Sequence, residues 1–252
     1  MRKAVFALIL LLAGCAGGVY KVPTEEYRQQ VKTLGVLPVL VDARSTINHP
    51  QAGEIVDLLW RAAEGQSERL VLEMRKKKGY FDVRRVNEPA RLVADRLLLR
   101  PQHNELGQPL GYQLDQTYLA ELCRDAVVDG VLILALQGAV HNDKRWSRNT
   151  FENLVTDYND ILATASVVAA DGRVLWEMSG ESAERVLTLQ YADFDEAFYN
   201  KTDSVRVRFI GLDGLSKTLF PPTSAEGQQQ PAVAVAGWLD KVGSALSPSL
   251  FR

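Results

Sequence analysis

Asp129-Gly130-Val131-Leu132-Ile133-Leu134-Ala135-Leu136 is the stretch on which the fold turns. The Asp-Gly pair bends the chain, and every residue from Val131 to Leu136 is apolar. A strand with one wet face alternates. A strand apolar on both sides is covered on both, as in the interior of an α/β sheet. The run therefore predicts a central strand. Upstream, Asp115 is placed to cap a helix reaching about residue 127, with Leu119, Leu122 and Cys123 as its apolar stripe.

Downstream, 141–158 is polar, with His141, Asn142, Asp143, Lys144 and Arg145, and reads as an extended loop. Residues 161–169 alternate, Ala170-Asp171-Gly172 is a hairpin signal, and 173–182 returns as a strand with Val174, Trp176 and Met178. Toward the N-terminus, 33–41 reads as a strand interrupted by Pro38, which suits an edge, a bulge or a strand end. A long helix is expected over 50–78, carried by Ile55, Leu58, Leu59, Ala62, Leu70 and Met74, with Gly65 as a weak point and Gly79 as its stop. A strand at 80–86 follows, then a helix opened by Asn87 or Glu88 with Pro89 in its first turn. Pro101, Gly107, Pro109 and Gly111 break structure across 100–113. Short strands are expected at 186–190 and 204–210, a Pro/Gln-rich linker at 221–231 and a closing helix at 232–246. The sum is an α/β (α+β) fold: a mixed central sheet of about five strands flanked by helices, with a C-terminal extension.

The N-terminus carries a different kind of signal. Arg2 and Lys3 precede an apolar run from Ala4 to Ala13. That run is shorter than the ~20 residues a bilayer core requires and suits the core of a cleavable leader. Leu12-Ala13-Gly14-Cys15 resembles the lipobox of bacterial lipoproteins. The resemblance implies removal of residues 1–14 and lipidation of Cys15. Ala16 in place of aspartate implies transfer to the outer membrane, with the chain facing the periplasm. Residues 15–32 would then be a lipidated N-terminus and tether.

Three further pieces resemble the α/β module of bacterial envelope lipoproteins: Leu34-Gly35-Val36-Leu37-Pro38, the segment Ala126-Val127-Val128 leading into Asp129-Gly130-Val131, and Ala163 with Ser166-Val167-Val168 before Asp171-Gly172 and Val174-Leu175-Trp176. Relatives of that kind include the curli-secretion lipoprotein, lipoprotein activators of penicillin-binding proteins and the N-terminal domain of the Tol-system propeller protein. The resemblance spans 33–184 and leaves 185–252 as an extension. It implies a module that binds envelope proteins or assembles with itself. It carries no catalytic residue across.

Composition narrows the chemistry. With 29 Lys+Arg against 31 Asp+Glu, the 252-residue chain has a formal charge of −2. A leader removed with Arg2 and Lys3 leaves the remainder more acidic, so nothing favours nucleic acid as a partner. Cys123 has no partner once Cys15 carries lipid, and it reads as a small buried hydrophobe. His49, His103 and His141 fall in expected loops without a second ligand at metal spacing, so no metal is expected. Neither a phosphate loop nor a GxSxG elbow occurs, and no cofactor is expected. Arg75-Lys76-Lys77-Lys78 reads as the cationic end of a helix.

One segment leaves two readings open. Asp193, Asp195 and Glu196 lie among Tyr191, Phe194, Phe198 and Tyr199. As a short amphipathic helix this is a solvated acidic side with an aromatic face, Tyr191, Phe194 and Phe198, available to a partner. As paired carboxylates it is an acid and base of an envelope glycan or peptide hydrolase. The first reading is preferred, and with it a non-enzymatic binding or assembly module. A subunit of a secretion or export complex is the other alternative.

Overall fold

The computed structural model describes residues 17–77, 79–148, 151–199, 204–221 and 232–247. The lipobox residues Leu12, Ala13, Gly14 and Cys15, and nearly all of the Pro/Gln-rich linker, lie outside the described residues.

The fold is α/β, with a mixed sheet flanked by helices. Its axis is β6 (Gly130–Trp146) paired along its whole length with β7 (Asn153–Ala169), from Gly130 opposite Ala169 to Trp146 opposite Asn153. On the far side of β6 lie β2 (Thr33–Asp42) and then β3 (Asp82–Arg85), both parallel to their neighbours. Beyond β7, β8 (Val174–Met178) and β9 (Glu184–Thr188) share its outer edge, and β1 (Val19–Tyr20) closes the sheet on β8. Among the described residues the sheet has seven strands, and the five expected are all among them. Of the strands beyond those five, β9 overlaps the short strand expected at 186–190, and β1, two residues long, is too short to leave a pattern.

Parallel β2–β3 and β2–β6 pairs need crossovers. The first consists of α2 (Ala52–Ala63) and α3 (Gln66–Lys76). The expected single helix over 50–78 is broken at Gly65, whose left-handed φ of 70° terminates the helical path. The second crossover runs through α4 (Ala90–Leu97), the ribbon β4 (Leu98–His103) with β5 (Pro109–Leu114), and α5 (Gln116–Ala126). Asp115 caps α5 by accepting from the Tyr118 amide at 2.9 Å. The structure corrects the irregular reading of 100–113. Its prolines sit in a two-stranded ribbon outside the main sheet, where both strands are edges that tolerate proline. Pro38 produces a bulge: the β2–β6 register shifts between Val36 and Val39.

The alternation of β2 and β6 splits the core in two. Leu34, Val36, Leu132, Leu134 and Leu136 face α2, α3, α7 (Leu212–Leu219) and α8 (Val233–Ala245). Leu37, Leu40, Val131 and Ile133 face α4 and α5. Each such side chain, fully buried, stabilises by about 1.5–3 kcal/mol relative to exposure. Residues after 185 are part of this body: β9 joins the sheet, and Leu215, Leu219 and Trp238 are buried in the first core.

The expected tether is also largely folded. After β1, α1 (Thr24–Gln30) buries Tyr27, whose hydroxyl meets that of Tyr80 at 2.6 Å. Gly18, at φ 116°, lies so close to the Trp176 ring that no side chain fits between. Residues 19–30 are thus packed on the body.

The largest correction concerns 141–158. Most of its described residues are strand: β6 runs on to Trp146 and β7 starts at Asn153, paired as a ribbon past Asp42, the last residue of β2 to pair with β6. Polar residues fill both faces of this stretch, so the period-2 hydrophobic signal that marks a strand is absent.

Candidate functional site

The ribbon leaves the sheet through a cluster of charge. His141, Asp143 and Arg145 are alternate residues of β6 and so share one face. Antiparallel register adds Tyr158 and Asp160 of β7 to that face, and Arg185 reaches in from β9. The Asp160 side chain is fully buried. Its Oδ2 accepts from His141 Nε2 at 3.0 Å, from Arg145, and from Arg185 at 3.4 Å. Asp143 Oδ2 accepts from Arg185 and from Arg145 Nε at 3.3 Å. The Arg145 guanidinium also lies 3.7 Å from the Tyr158 ring centroid and donates to the Gln190 carbonyl.

Burial opposes ionisation of Asp160, but hydrogen bonds from His141 and Arg145 and the charges of Arg145 and Arg185 outweigh it. Its carboxyl titrates below the usual range. Asp143 follows the same balance, with Arg185 first among the groups that lower it. An ionised carboxylate only accepts, so His141 Nε2 carries the proton of the shared bond. Asp160 Oδ1, Tyr158 Oη and both amide atoms of Gln137 are buried with no hydrogen-bond partner among the described residues.

Ligand atoms of His141, Asp143 and Asp160 lie within 4.8 Å of one another. A divalent cation there would have to displace two guanidiniums from the same carboxylate oxygens. The donor set therefore serves an internal ion network, in which two aspartates balance two arginines. Its effect is to tie β6, β7 and β9 together where the sheet narrows to two strands.

Sequence reading missed this cluster and placed His141 in a loop; it is a buried strand residue. The available signal was the i, i+2, i+4 series His141-Asp143-Arg145, but an all-polar alternation looks the same as a charged loop. His49 does lie in a loop, with Nδ1 accepting from the Gln51 amide and Nε2 on the Ile210 carbonyl, each at 3.0 Å. His103 ends β4. Cys123 is buried on α5, and burial pushes its thiol up to about 11.

The acidic–aromatic segment forms β10 (Gln190–Ala192), α6 (Phe194–Tyr199) and β11 (Val207–Phe209), with β10 and β11 paired. Asp193 Oδ1 accepts from the Arg206 amide at 2.7 Å and Oδ2 from Arg208 Nε at 2.8 Å. Arg208 also reaches both Glu196 oxygens at 3.1 Å. These contacts, the Arg208 hydrogen bond first, hold the Asp193 carboxyl below its usual range. Asp195 stands apart, exposed and 3.9 Å from Arg148. Of the expected aromatic face, Phe194 is buried and anchors the helix, whereas Tyr191 is 46% exposed and Phe198 79%. Tyr199, equally exposed, packs edge-on against Phe198 at 5.7 Å between centroids.

Among the described residues no helix is long and apolar enough to cross a membrane. The fold and these clusters define an α/β protein with a charged root to a projecting ribbon. No protein-family model matches the chain, and no curated protein matches it. Among solved structures, one from Helicobacter pylori described as a neuraminyllactose-binding hemagglutinin homologue is 10% identical, with 86% of each chain covered and a TM-score of 0.40. A likeness that distant carries no function.

Proposed function

We propose that the chain is a lipid-anchored, periplasm-facing protein of the outer membrane that acts as a non-enzymatic binding or assembly module. The observation that supports it most directly is the pair Phe198 and Tyr199. Two aromatic rings, each 79% exposed, stand on a helix whose start is pinned by the Asp193–Arg208–Glu196 clamp. Exposed aromatics on a rigid support are the usual anchors of a protein interface. The hydrolase alternative needs one carboxyl kept protonated beside an ionised one. Asp193 and Glu196 instead share Arg208, and Asp195 is exposed beside Arg148, which lends that alternative little support.

The test is a photoreactive residue at position 198 in the full chain in intact cells, with Val127 on the opposite end as reference. The proposal expects a discrete adduct with one envelope protein, or with a second copy of the chain, from position 198 alone. Equal, diffuse labelling from both positions refutes it. A subunit of an export complex is the second reading, favoured by the length of the β6–β7 ribbon; it expects ring-shaped oligomers in detergent extracts.

A further inference from the structure

The direction in which the chain enters the fold constrains what the ribbon meets. β1 is antiparallel to β8, and β8 is antiparallel to β7. β1 therefore runs parallel to β7, and its N-terminal side points toward the ribbon tip. Val19 lies level with Glu177, Glu177 with Ser166, and Ser166 with Ile133. The methyl end of Met178 would touch a side chain at Gly17, which places Gly17 beside the end of β8.

Only two peptide steps separate Gly17 from Cys15, a reach of about 7 Å at full extension. A lipid on Cys15 is thus held no further along the strand axis than about the level of Leu162 and Gln137. From there the ribbon continues about nine residues to Trp146 and Asn153, roughly 30 Å at ~3.3 Å per residue. That equals the thickness of a bilayer core. A domain held this tightly has the projection within reach of the membrane that holds its anchor.

The ribbon is not built to cross. A spanning strand needs ~9–11 residues with an apolar lipid face, and the uncovered face here reads Val140, Asn142, Lys144 and Trp146 against Asn153, Val155 and Asp157. It is suited to the interface instead. Trp146 is 52% exposed and Val155 56%. Lys144 Nζ lies 4.3 Å from the Trp146 ring centroid, so an amphipathic ring and a cation occupy one spot. Tryptophan favours the headgroup level, and lysine extends its charge into it.

We propose that the uncovered face of the ribbon around Trp146 rests in the headgroup layer of the membrane that carries the Cys15 lipid. This rests on the lipid-anchor reading above, and it assigns the ribbon to lipid while leaving α6 to a protein partner.

The test uses the full-length lipoprotein, purified with its native acyl groups, in vesicles of phosphatidylethanolamine and phosphatidylglycerol. Nitroxides are placed at Trp146→Cys and Val155→Cys, with Phe81→Cys at the opposite end of the sheet as reference; Cys123 is buried and stays unlabelled. The expected result is a several-fold rise in the ratio of oxygen to nickel-chelate collision at 146 and 155, and none at 81. Aqueous behaviour at 146 and 155, or protection from both reagents as in a protein contact, overturns the ribbon assignment. Mass spectrometry of the Cys15 peptide from the same sample separates the failures. An acylated Cys15 with an aqueous ribbon refutes this inference alone, and an unacylated Cys15 refutes the anchor as well.

Discussion

His141 Nε2 and Asp160 Oδ2 are 3.0 Å apart across the β6–β7 pair, at the level where the sheet gives way to the ribbon. The imidazole is nearly buried and the carboxylate fully so. The carboxylate would not be tolerated there alone, because a charge removed from water must be paired and hydrogen-bonded. Arg145 and Arg185 complete the pairing.

Asp160→Asn removes the charge on which three side chains converge. Arg145, itself 13% exposed, then keeps its charge with only Asp143 as counter-ion. Breaking one partner of a buried pair costs about 3–5 kcal/mol, and urea unfolding at neutral pH should show a loss of that order. Arg173→Ala, which breaks an exposed pair with Asp171, should cost less than ~1 kcal/mol.

The same network sets a pH dependence. Asp160 and Asp143 both titrate lower in the folded chain than when unfolded. Their contribution is complete above the unfolded carboxylate value of ~4 and disappears as pH falls through the lower folded values. The urea midpoint should hold between pH 7 and 5 and fall steeply below about 4. Asp160→Asn should flatten that fall.

Gly18→Ala tests the fixing of the N-terminus. The residue has φ 116°, and an added Cβ would overlap the Trp176 ring. Conformational strain at such a position costs about 1–3 kcal/mol. The expected outcome is release of β1, read as faster amide exchange at Val19 and Lys21 while β6 and β7 stay protected.

Asp193→Ala should act locally. The Asp193 carboxylate holds the Arg206 amide and the Arg208 side chain, whereas β10 and β11 pair only with each other. Amide exchange should accelerate across 190–199 and 204–209 and remain unchanged in β2 and β6.

Cys123 should be silent toward thiol reagents at pH 8 in the native state. Its thiol is buried and pushed up to about 11, so the thiolate fraction is small. Labelling should follow global unfolding when urea is titrated. Rapid native labelling would contradict the burial.

What the sequence reveals of this fold depends on apolar pattern. The central strand at 131–136, the 161–178 hairpin and the capped helix after Asp115 are legible because burial on one or both faces writes a periodic code. Asp42 marks where that code fades: beyond it β6 loses its β2 neighbour, hydrophobic alternation gives way to polar residues, and the strands are maintained by their mutual pairing and by the Asp160 network. The charged root was hidden for the same reason. His141, Asp143 and Arg145 converge with Asp160 and Arg185 only through register, which no local window contains. Asp193 stood out among the carboxylates of its segment, but its partners, Arg206 and Arg208, lie 13 and 15 residues further on, a separation that spacing does not reveal. Phe194 and Phe198 share a helical face by periodicity, yet one is buried and the other bare, because the helix lies against the body at its first turn.

The unbroken register of β6 and β7 has a mechanical consequence. The same two strands run from the middle of the hydrophobic body, at Leu132 and Val167, to Trp146 and Asn153. The ribbon is a cantilever clamped at its root by the Asp160 network. A force applied at its tip is borne in shear by the ladder of β6 and β7 and passed through β8 to β1, two strands away. Ribbon tip and N-terminal strand are thus joined through one hydrogen-bonded sheet, with β8 as the link between them.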